Sequence, residues 1–284
     1  MRPFFVMPMR GLLLAIMLLP LLQSCSSLPK SSGSSRGILD TSGDGLPPSG
    51  VPKDLNPDIV ADAVPRNEPR SRYGNPAFYE VEGRRYTVLA NGEAYKAQGI
   101  ASWYGAKFHG RRTSSGEPYD MYAMTAAHTT LPLPSFVQVT NLRNGRKVIV
   151  RVNDRGPFRH NRLIDLSYVA ALKLGIVAEG TGLVEVRVVT PEDGPAPTAA
   201  APAPNPAPDI YLQVGAFAER AKAERMSQRV APVAPRGAVQ IREESGARPL
   251  YRVRLGPLSS VEEVDQVTRR LDGLGVNDAH VVID

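Results

Sequence analysis

The sequence predicts two folded blocks of different class. Residues 76–190 read as a mainly β domain, small enough to close as a barrel, and residues 209–284 as a small α+β domain with a four-stranded sheet. Three observations point there. Residues 86–190 break into short apolar or alternating runs with one stretch of helical spacing. Residues 209–284 repeat a strand–helix–strand pattern twice. Aperiodic stretches rich in Pro, Gly and Ser flank both blocks, and the 26 Pro cluster in them. A chain of 284 residues fits two such domains at roughly 100–200 residues each.

Within the first block, Ile100–Tyr104, Phe136–Thr140, Lys147–Val152 and Leu183–Val189 have strand character, and Asn144-Gly145 between the middle two signals a hairpin. Helical spacing over Ser167–Leu174 stops at Gly175, with Ser167 or Asp165 at its N-terminus. In the second block, Tyr211-Leu212-Gln213-Val214-Gly215-Ala216-Phe217 pairs with Arg252-Val253-Arg254-Leu255-Gly256-Pro257-Leu258 as a repeat. Amphipathic helices follow at about 219–231 and 260–273, and then strands Val239–Arg242 and His280–Ile283. Both helices are expected on one face of the sheet. Alternation sends Leu212, Val214, Val239, Ile241, Val253 and Leu255 toward them. Tyr211, Gln213, Gln240, Arg242, Arg252 and Arg254 then form an open face suited to a polymer. A single aromatic there is too few for an RNA-stacking sheet.

Residues 1–24 read as an export signal: Arg2 and Arg10 precede the apolar run Leu12–Leu19, which Pro20 interrupts. Leu22-Gln23-Ser24-Cys25 resembles the bacterial lipobox, and Cys25 is the only cysteine. Acylated there, the chain would be anchored by lipid on the periplasmic side of the envelope. Ser26 after the cysteine favours the outer membrane. Residues 25–75 are expected to be a disordered tether, and residues 191–208 an extended Pro/Ala spacer.

Composition excludes several classes. One Cys cannot build a disulfide framework, and four scattered His leave little room for a metal cage. Phosphate-cradling glycine motifs are absent, so no cofactor and no metal are expected. The net charge is +6, with 15 Lys and Arg against 9 Asp and Glu over residues 76–190 and 11 against 13 over residues 191–284. For an exported chain a basic first block fits an acidic wall polymer, not nucleic acid. No surface pattern calls for self-association, and a monomer is expected.

Five segments occur in order: Gly99-Ile100-Ala101-Ser102-Trp103-Tyr104-Gly105, Thr113-Ser114-Ser115-Gly116-Glu117, Thr125-Ala126-Ala127-His128, Val152-Asn153-Asp154-Arg155-Gly156-Pro157-Phe158 and Ile164-Asp165-Leu166-Ser167. Together they resemble the rare lipoprotein A family over roughly residues 74–190. That resemblance implies a six-stranded double-psi β-barrel and a lytic transglycosylase acting on peptidoglycan glycan strands. The barrel is also similar to that of expansins and some endoglucanases, so fold alone does not fix the activity. Gln213-Val214-Gly215-Ala216-Phe217 and Tyr251-Arg252-Val253-Arg254-Leu255-Gly256-Pro257 resemble the SPOR module over roughly residues 207–284. The module implies binding to strands stripped of stem peptides at the division septum.

Cleavage without water needs a carboxyl that serves as acid and base, and groups that stabilise an oxocarbenium-like state. The muramyl C6 hydroxyl then attacks its own anomeric carbon, leaving a 1,6-anhydro end. By the family resemblance Asp154 and Glu117 lead the candidates, followed by His128, which would orient a carboxylate or tune its pKa, and Asp165. Asp120 is expected to be structural. Trp103 and Tyr104, on opposite faces of a strand, offer one ring to a sugar and one to the core. Arg155 and Arg159 are candidate contacts to acidic groups of the glycan. Two rival readings stay open: a non-catalytic wall-binding lipoprotein, and a hydrolase that uses water.

Overall fold

The computed structural model describes residues 45, 55–193, 208–235, 238–244, 246 and 249–284. The expected export signal, Cys25, most of the tether and most of the Pro/Ala spacer lie outside these residues. Among the described residues no helix is long and apolar enough to cross a membrane.

The first block opens with a hairpin, β1 (Phe78–Val81) and β2 (Arg84–Thr87). Six strands follow: β3 (Lys96–Tyr104), β4 (Thr125–His128), β5 (Ser135–Asn141), β6 (Lys147–Asp154), β7 (Ile164–Ser167) and β8 (Thr181–Val188). They close as a barrel in the order β3-β7-β4-β6-β5-β8, with β3–β7 and β4–β6 parallel and the remaining pairs antiparallel. Ala101, Val137, Val139, Val148, Val150, Ile164, Leu166 and Val186 fill its core, all fully buried. Asn144-Gly145 turns the chain between β5 and β6, with Gly145 at φ 68°, a conformation that glycine adopts without a Cβ penalty. Helix α1 (Tyr168–Leu174) follows β7. Ser167 caps it, its Oγ accepting from Ala170 N at 3.3 Å, and Gly175 closes it in the left-handed conformation.

Residues 55–75, expected as tether, instead run as a strap along the barrel. Ala63 N donates to Ile149 O at 3.0 Å, and Ile149 N donates to Asp62 Oδ2 at 3.0 Å. Asn75 brackets Leu133, donating to its carbonyl at 2.7 Å and accepting from its amide at 2.8 Å. Leu55, Val60 and Ala63 rest on buried apolar residues. Two donors and two acceptors of a polar segment thus meet fixed partners on the barrel, and that offsets the ordering cost that its composition implies.

The second block holds β9 (Ile210–Phe217), α2 (Arg220–Val230), β10 (Val239–Glu244), β11 (Leu250–Leu258), α3 (Val261–Gly273) and β12 (His280–Ile283). The sheet order is β10-β11-β9-β12, fully antiparallel, with a short 3₁₀ turn at Ala231–Val233. Leu212, Val214, Val253 and Leu255 pack with Ala223, Val264, Val267 and Leu271 of the helices, so both helices cover one face. The repeated Gly serves an aromatic each time. A Cβ on Gly215 would meet Phe217 Cζ at 2.7 Å, and one on Gly256 would meet Tyr211 Cδ1 at 2.9 Å.

Candidate functional site

Two carboxylates come together where the Thr113–Glu117 loop folds against the end of β6. The loop closes on itself: Thr113 N donates to Glu117 O at 2.7 Å, and Gly116 at φ 101° makes the turn. Parallel pairing of β4 with β6 runs Ala126↔Val152 and then Ala127↔Asp154, so Asn153 is skipped. A bulge of this kind re-aims side chains at a strand end. Here Asn153 Nδ2 donates to Glu117 Oε2 at 3.0 Å, while Asn153 O accepts from Ser115 N at 3.2 Å.

Asp154 is anchored through one oxygen. Its Oδ1 accepts from Ser114 N at 2.8 Å, Ser114 Oγ at 2.7 Å and Arg155 N at 2.7 Å. Glu117 Oε2 also accepts from Arg151 Nη1 at 2.7 Å. The Arg151 guanidinium, Asn153 and the surrounding positive charge hold the Glu117 carboxyl below its usual range, against a partial burial that pushes it up. Arg151 also forks onto Glu68 of the strap at 2.7 Å and lowers that carboxyl in the same way. The strap thus helps to set the charge of the site.

Asp165, on β7, accepts from Ser102 Oγ of the neighbouring β3. Its Oδ2 lies 3.9 Å from where a Gly156 Cβ would stand, which places it beside the segment that follows Asp154. Tyr104 reports the same neighbourhood: burial first, then the charges of Tyr119, Asp154 and Asp165 push its hydroxyl well above the ordinary value.

His128 departs from its expected role. It is 1% exposed, and its ring nitrogens meet the Tyr95 hydroxyl and the Thr130 and Leu131 amides rather than a carboxylate. Nδ1 accepts from Thr130 N at 3.2 Å and Leu131 N at 3.1 Å, so the neutral ring carries its proton on Nε2, 2.9 Å from the Tyr95 hydroxyl. Burial and then the Arg155 charge push its pKa down to about 3. The ring is a neutral turn-former, and its backbone carbonyl accepts from Arg155 Nη1 at 3.0 Å.

Arg155 is likewise committed to backbone rather than turned to a glycan. Its guanidinium donates to Gly74 O at 2.8 Å and Leu131 O at 2.6 Å as well as to His128. Trp103 and Tyr104 are both buried, at 6% and 8% exposed, because both rings find aromatic partners inside. Trp103 meets Tyr168 edge-on at 5.5 Å, and Tyr104 stacks on Tyr119 at 4.0 Å. Neither offers a face to a sugar. The exposed rings that border this region are Tyr73, against Gly116 and under Arg112, and Phe108, beside Tyr104. Neither ring lies inside a motif segment, although each is an aromatic beside basic residues next to one. Ser114, Arg151, Asn153 and Glu68 were missed as partners because their roles arise from pairings across the chain. Arg159 is exposed and lines a cleft at the second block.

On the second block the expected open face is partly closed. Tyr211 and Gln213 are buried at 7% and 4% exposed. Arg242 lies 6.0 Å over the Tyr211 ring, and Arg254 Nε lies 3.4 Å from Gln213 Oε1. Asp284 ties both guanidiniums, at 2.8 Å to Arg242 and 2.9 Å to Arg254. Arg252 pairs with Glu244 at 2.6 Å, and Gln240 sits opposite Arg254 in the register. What this face presents is therefore an arginine layer over an aromatic and an amide.

A family model described as lytic transglycolase matches residues 96–188, and a SPOR-domain model matches residues 206–282. An endolytic peptidoglycan transglycosylase RlpA of Pseudomonas aeruginosa (strain UCBPP-PA14) is 38% identical over 302 residues, covering 87% of this chain and 88% of the relative. One of Vibrio cholerae is 45% identical over 182 residues, covering 64% and 65%. Among solved structures, the RlpA SPOR domain of Pseudomonas aeruginosa is 34% identical, covering 26% of this chain and 96% of the other, with a TM-score of 0.24.

Proposed function

Because the chain belongs to the RlpA family of endolytic peptidoglycan transglycosylases, we propose that Asp154 and Glu117 divide the chemistry of strand cleavage between them. The observation that carries this reading is the unequal treatment of the two carboxylates by their neighbours. Glu117 is clamped by Arg151 and Asn153 in its charged form. It is suited to stabilise the positive charge that grows at the anomeric carbon. Asp154 spends Oδ1 on three donors and has none of those bonds on Oδ2. Protonated on Oδ2 it keeps all three bonds, so that oxygen can give its proton to the departing glycosidic oxygen. The same oxygen then takes the proton of the muramyl C6 hydroxyl as that oxygen attacks the anomeric carbon. One proton leaves the carboxyl and one returns, and no water is consumed.

Asp165 supports the site from β7, which β4 separates from β6, and it is held there by Ser102 of β3. His128, neutral and buried, is a positioning residue: it shapes the turn whose carbonyls hold Arg155, and Arg155 N in turn holds Asp154. The preferred substrate in this reading is a glycan strand stripped of stem peptides, gripped by the arginine layer of the second domain. Joining the two domains raises the effective concentration of strand at the barrel. We place the protein in the cell envelope, lipid-anchored through Cys25 and gathered at the division septum.

The test is mass spectrometry of soluble products from residues 26–284 incubated with intact sacculi and with stripped strands. Anhydro-ended saccharides, mainly from stripped strands, support the reading. Reducing ends mean hydrolysis, and binding without products means a wall-binding protein. A chain lacking residues 209–284 is expected to disperse from the septum; if it still gathers there, the targeting role is wrong.

A further inference from the structure

Trp103 and Tyr104 are buried, so a sugar-stacking ring at the barrel rim has to come from elsewhere. Among the described residues three exposed large apolar side chains are aromatic: Tyr73 at 49%, Phe78 at 47% and Phe108 at 38%. Their surroundings rank them. Arg85 lies 3.4 Å from the Phe78 ring centroid, so that face is already covered. Phe108 leans edge-on toward Tyr104, at the base of the arm whose tip is the Thr113–Glu117 loop. Arg112 and Arg72 stand 5.2 and 5.6 Å from the Tyr73 centroid, too far to cover the ring as Arg85 covers Phe78.

Tyr73 belongs to the strap, and the strap fixes it at the rim. Ser71 Oγ donates to Tyr73 O at 2.6 Å, and Arg155 Nε donates to Gly74 O at 2.8 Å. Just upstream, Ser71 N donates to Leu133 O at 2.9 Å. The backbone on both sides of the ring is therefore tied down before any substrate arrives. The ring itself leans on the loop of Glu117. A Cβ on Gly116 would stand 3.2 Å from Tyr73 Cδ2 and 3.1 Å from Arg112 Nη2, and glycine leaves room for both. Gly116 is one residue from Glu117, about 3.8 Å between Cα atoms. Gly74 presses on the mount of the other carboxylate. A Cβ there would stand 2.8 Å from Ser114 O, and Ser114 holds Asp154 through its amide and its hydroxyl. The strap thus sets an exposed ring in place beside the mounts of both carboxylates.

We propose that Tyr73 is a substrate-contacting, specificity-determining residue whose exposed face stacks on the sugar ring bound next to Glu117. A pyranose presents C–H groups on its faces, and tyrosine presents an apolar body with a polar tip, so the two match without a fixed hydrogen-bond pattern. Arg72 and Arg112 set positive charge beside the stack, which suits a strand that carries carboxylates. The inference rests on the reading that Glu117 and Asp154 cleave glycan strands. It makes the strap a wall of the substrate groove as well as a brace of the barrel. A stack made equally before and in the transition state lowers KM and leaves kcat alone.

The first test is fluorescence of the full chain in detergent, carrying Asp154→Asn to stop turnover together with Tyr73→Trp. Trp103 is the only native tryptophan and is 6% exposed, so its emission is a steady background. The probe is a tetrasaccharide of alternating N-acetylglucosamine and N-acetylmuramic acid without stem peptides. The installed indole should shift its emission and lose access to acrylamide over the concentrations where calorimetry registers binding. Steady emission throughout the titration overturns the stack, whatever calorimetry records.

The second test is cleavage kinetics on stripped strands by the chain with Asp154 intact. Tyr73→Ala should raise KM by about 10-fold with kcat unchanged, and Tyr73→Phe should restore the parent value. Phe78→Ala should change neither constant. Tyr73 is half exposed, and unchanged thermal melting will show that the fold persists. A fall in kcat at constant KM would assign Tyr73 to holding the loop, and parent-like kinetics would leave it no part in binding; either overturns the stack. The end groups of the parent's products are scored separately. A parent that yields reducing ends or no products fails the transglycosylase reading, while the emission titration still decides the stack.

Discussion

The barrel rim and the sheet of the second domain handle charge in opposite ways. At the rim two carboxylates are held by cations and amides: Glu117 by Arg151 and Asn153, and Asp154 by Ser114 and Arg155 N. On the sheet, arginines are held by carboxylates, Arg242 and Arg254 by Asp284 and Arg252 by Glu244. The rim partners are close to the barrel core, and Asn153 is 3% exposed. The sheet partners are exposed, with Glu244 at 58%. A charge that acts on a reacting bond must be fixed before substrate arrives. A charge that grips a polymer must be able to exchange its partner for the polymer's carboxylate. Burial of the partner, rather than of the charge itself, separates the two tasks, since Glu117 is 41% exposed and Arg254 is 11% exposed.

The sharpest way to break the comparison is to neutralise the rim. Asp154→Asn keeps the shape and loses the proton carrier. Release of anhydro products should fall by about 10²–10⁴-fold, the range for a general acid–base group, while stripped strands still bind. If binding falls in step with cleavage, the rim and the grip are not separate functions.

Next comes the buried histidine behind the rim. The folded chain holds His128 neutral down to about pH 3, whereas the unfolded chain protonates it near 6.5. Between those values the unfolded state binds one more proton, so stability falls as pH falls, by about 1.4 kcal/mol per unit from this group alone. His128→Asn puts an amide oxygen where Nδ1 accepts from Thr130 and Leu131. It should flatten that slope in denaturant titrations from pH 6.5 to 4, whatever constant loss it brings. An unchanged slope would mean that the ring is not held neutral.

How far these contrasts could be read in the sequence depends on how local their causes are. Ser167 and Gly175 bound α1 because capping acts within one turn, and Asn144-Gly145 makes its hairpin for the same reason. The segments containing Glu117, Asp154 and Asp165 were legible as motifs. Their partners were not: Arg151 is 34 residues from Glu117, and Glu68 is 83 from Arg151, and only the closed barrel brings them together. Alternation placed Tyr211 and Gln213 on the right face, but it could not tell that arginines from β10 and β11 would lie over them. The strap failed differently. Its composition is that of a linker, and it is ordered by Asp62, Glu68 and Asn75 meeting donors on other elements.

Arg151→Met tests the middle of the scale. It leaves Glu68 and Glu117 near one another without their shared cation. The expected loss is about 1–2 kcal/mol, discounted because Glu117 is 41% exposed and its charge is screened by solvent. The sign with pH follows from the two lowered carboxyls. Their contribution is present above the unfolded carboxyl value and is lost as pH falls through the lower folded values. The variant should therefore lose most at neutral pH and converge on the parent in acid. A constant gap across that range would assign the loss to packing rather than charge.

The smallest effect belongs to the sheet, and it has the opposite sign for binding. Asp284→Asn removes the carboxylate shared by Arg242 and Arg254. Exposed ion pairs are worth about 0–1 kcal/mol, so melting should barely move. The two guanidiniums then no longer exchange one carboxylate for another when a stripped strand arrives, and affinity should rise a few-fold at low salt. The gain should shrink as ionic strength increases, because screening weakens exposed charges first. If affinity falls instead, Asp284 is holding the arginines in their gripping geometry rather than competing for them. The sheet would then resemble the rim, a preset charge array, and the contrast between the two regions would rest on burial alone.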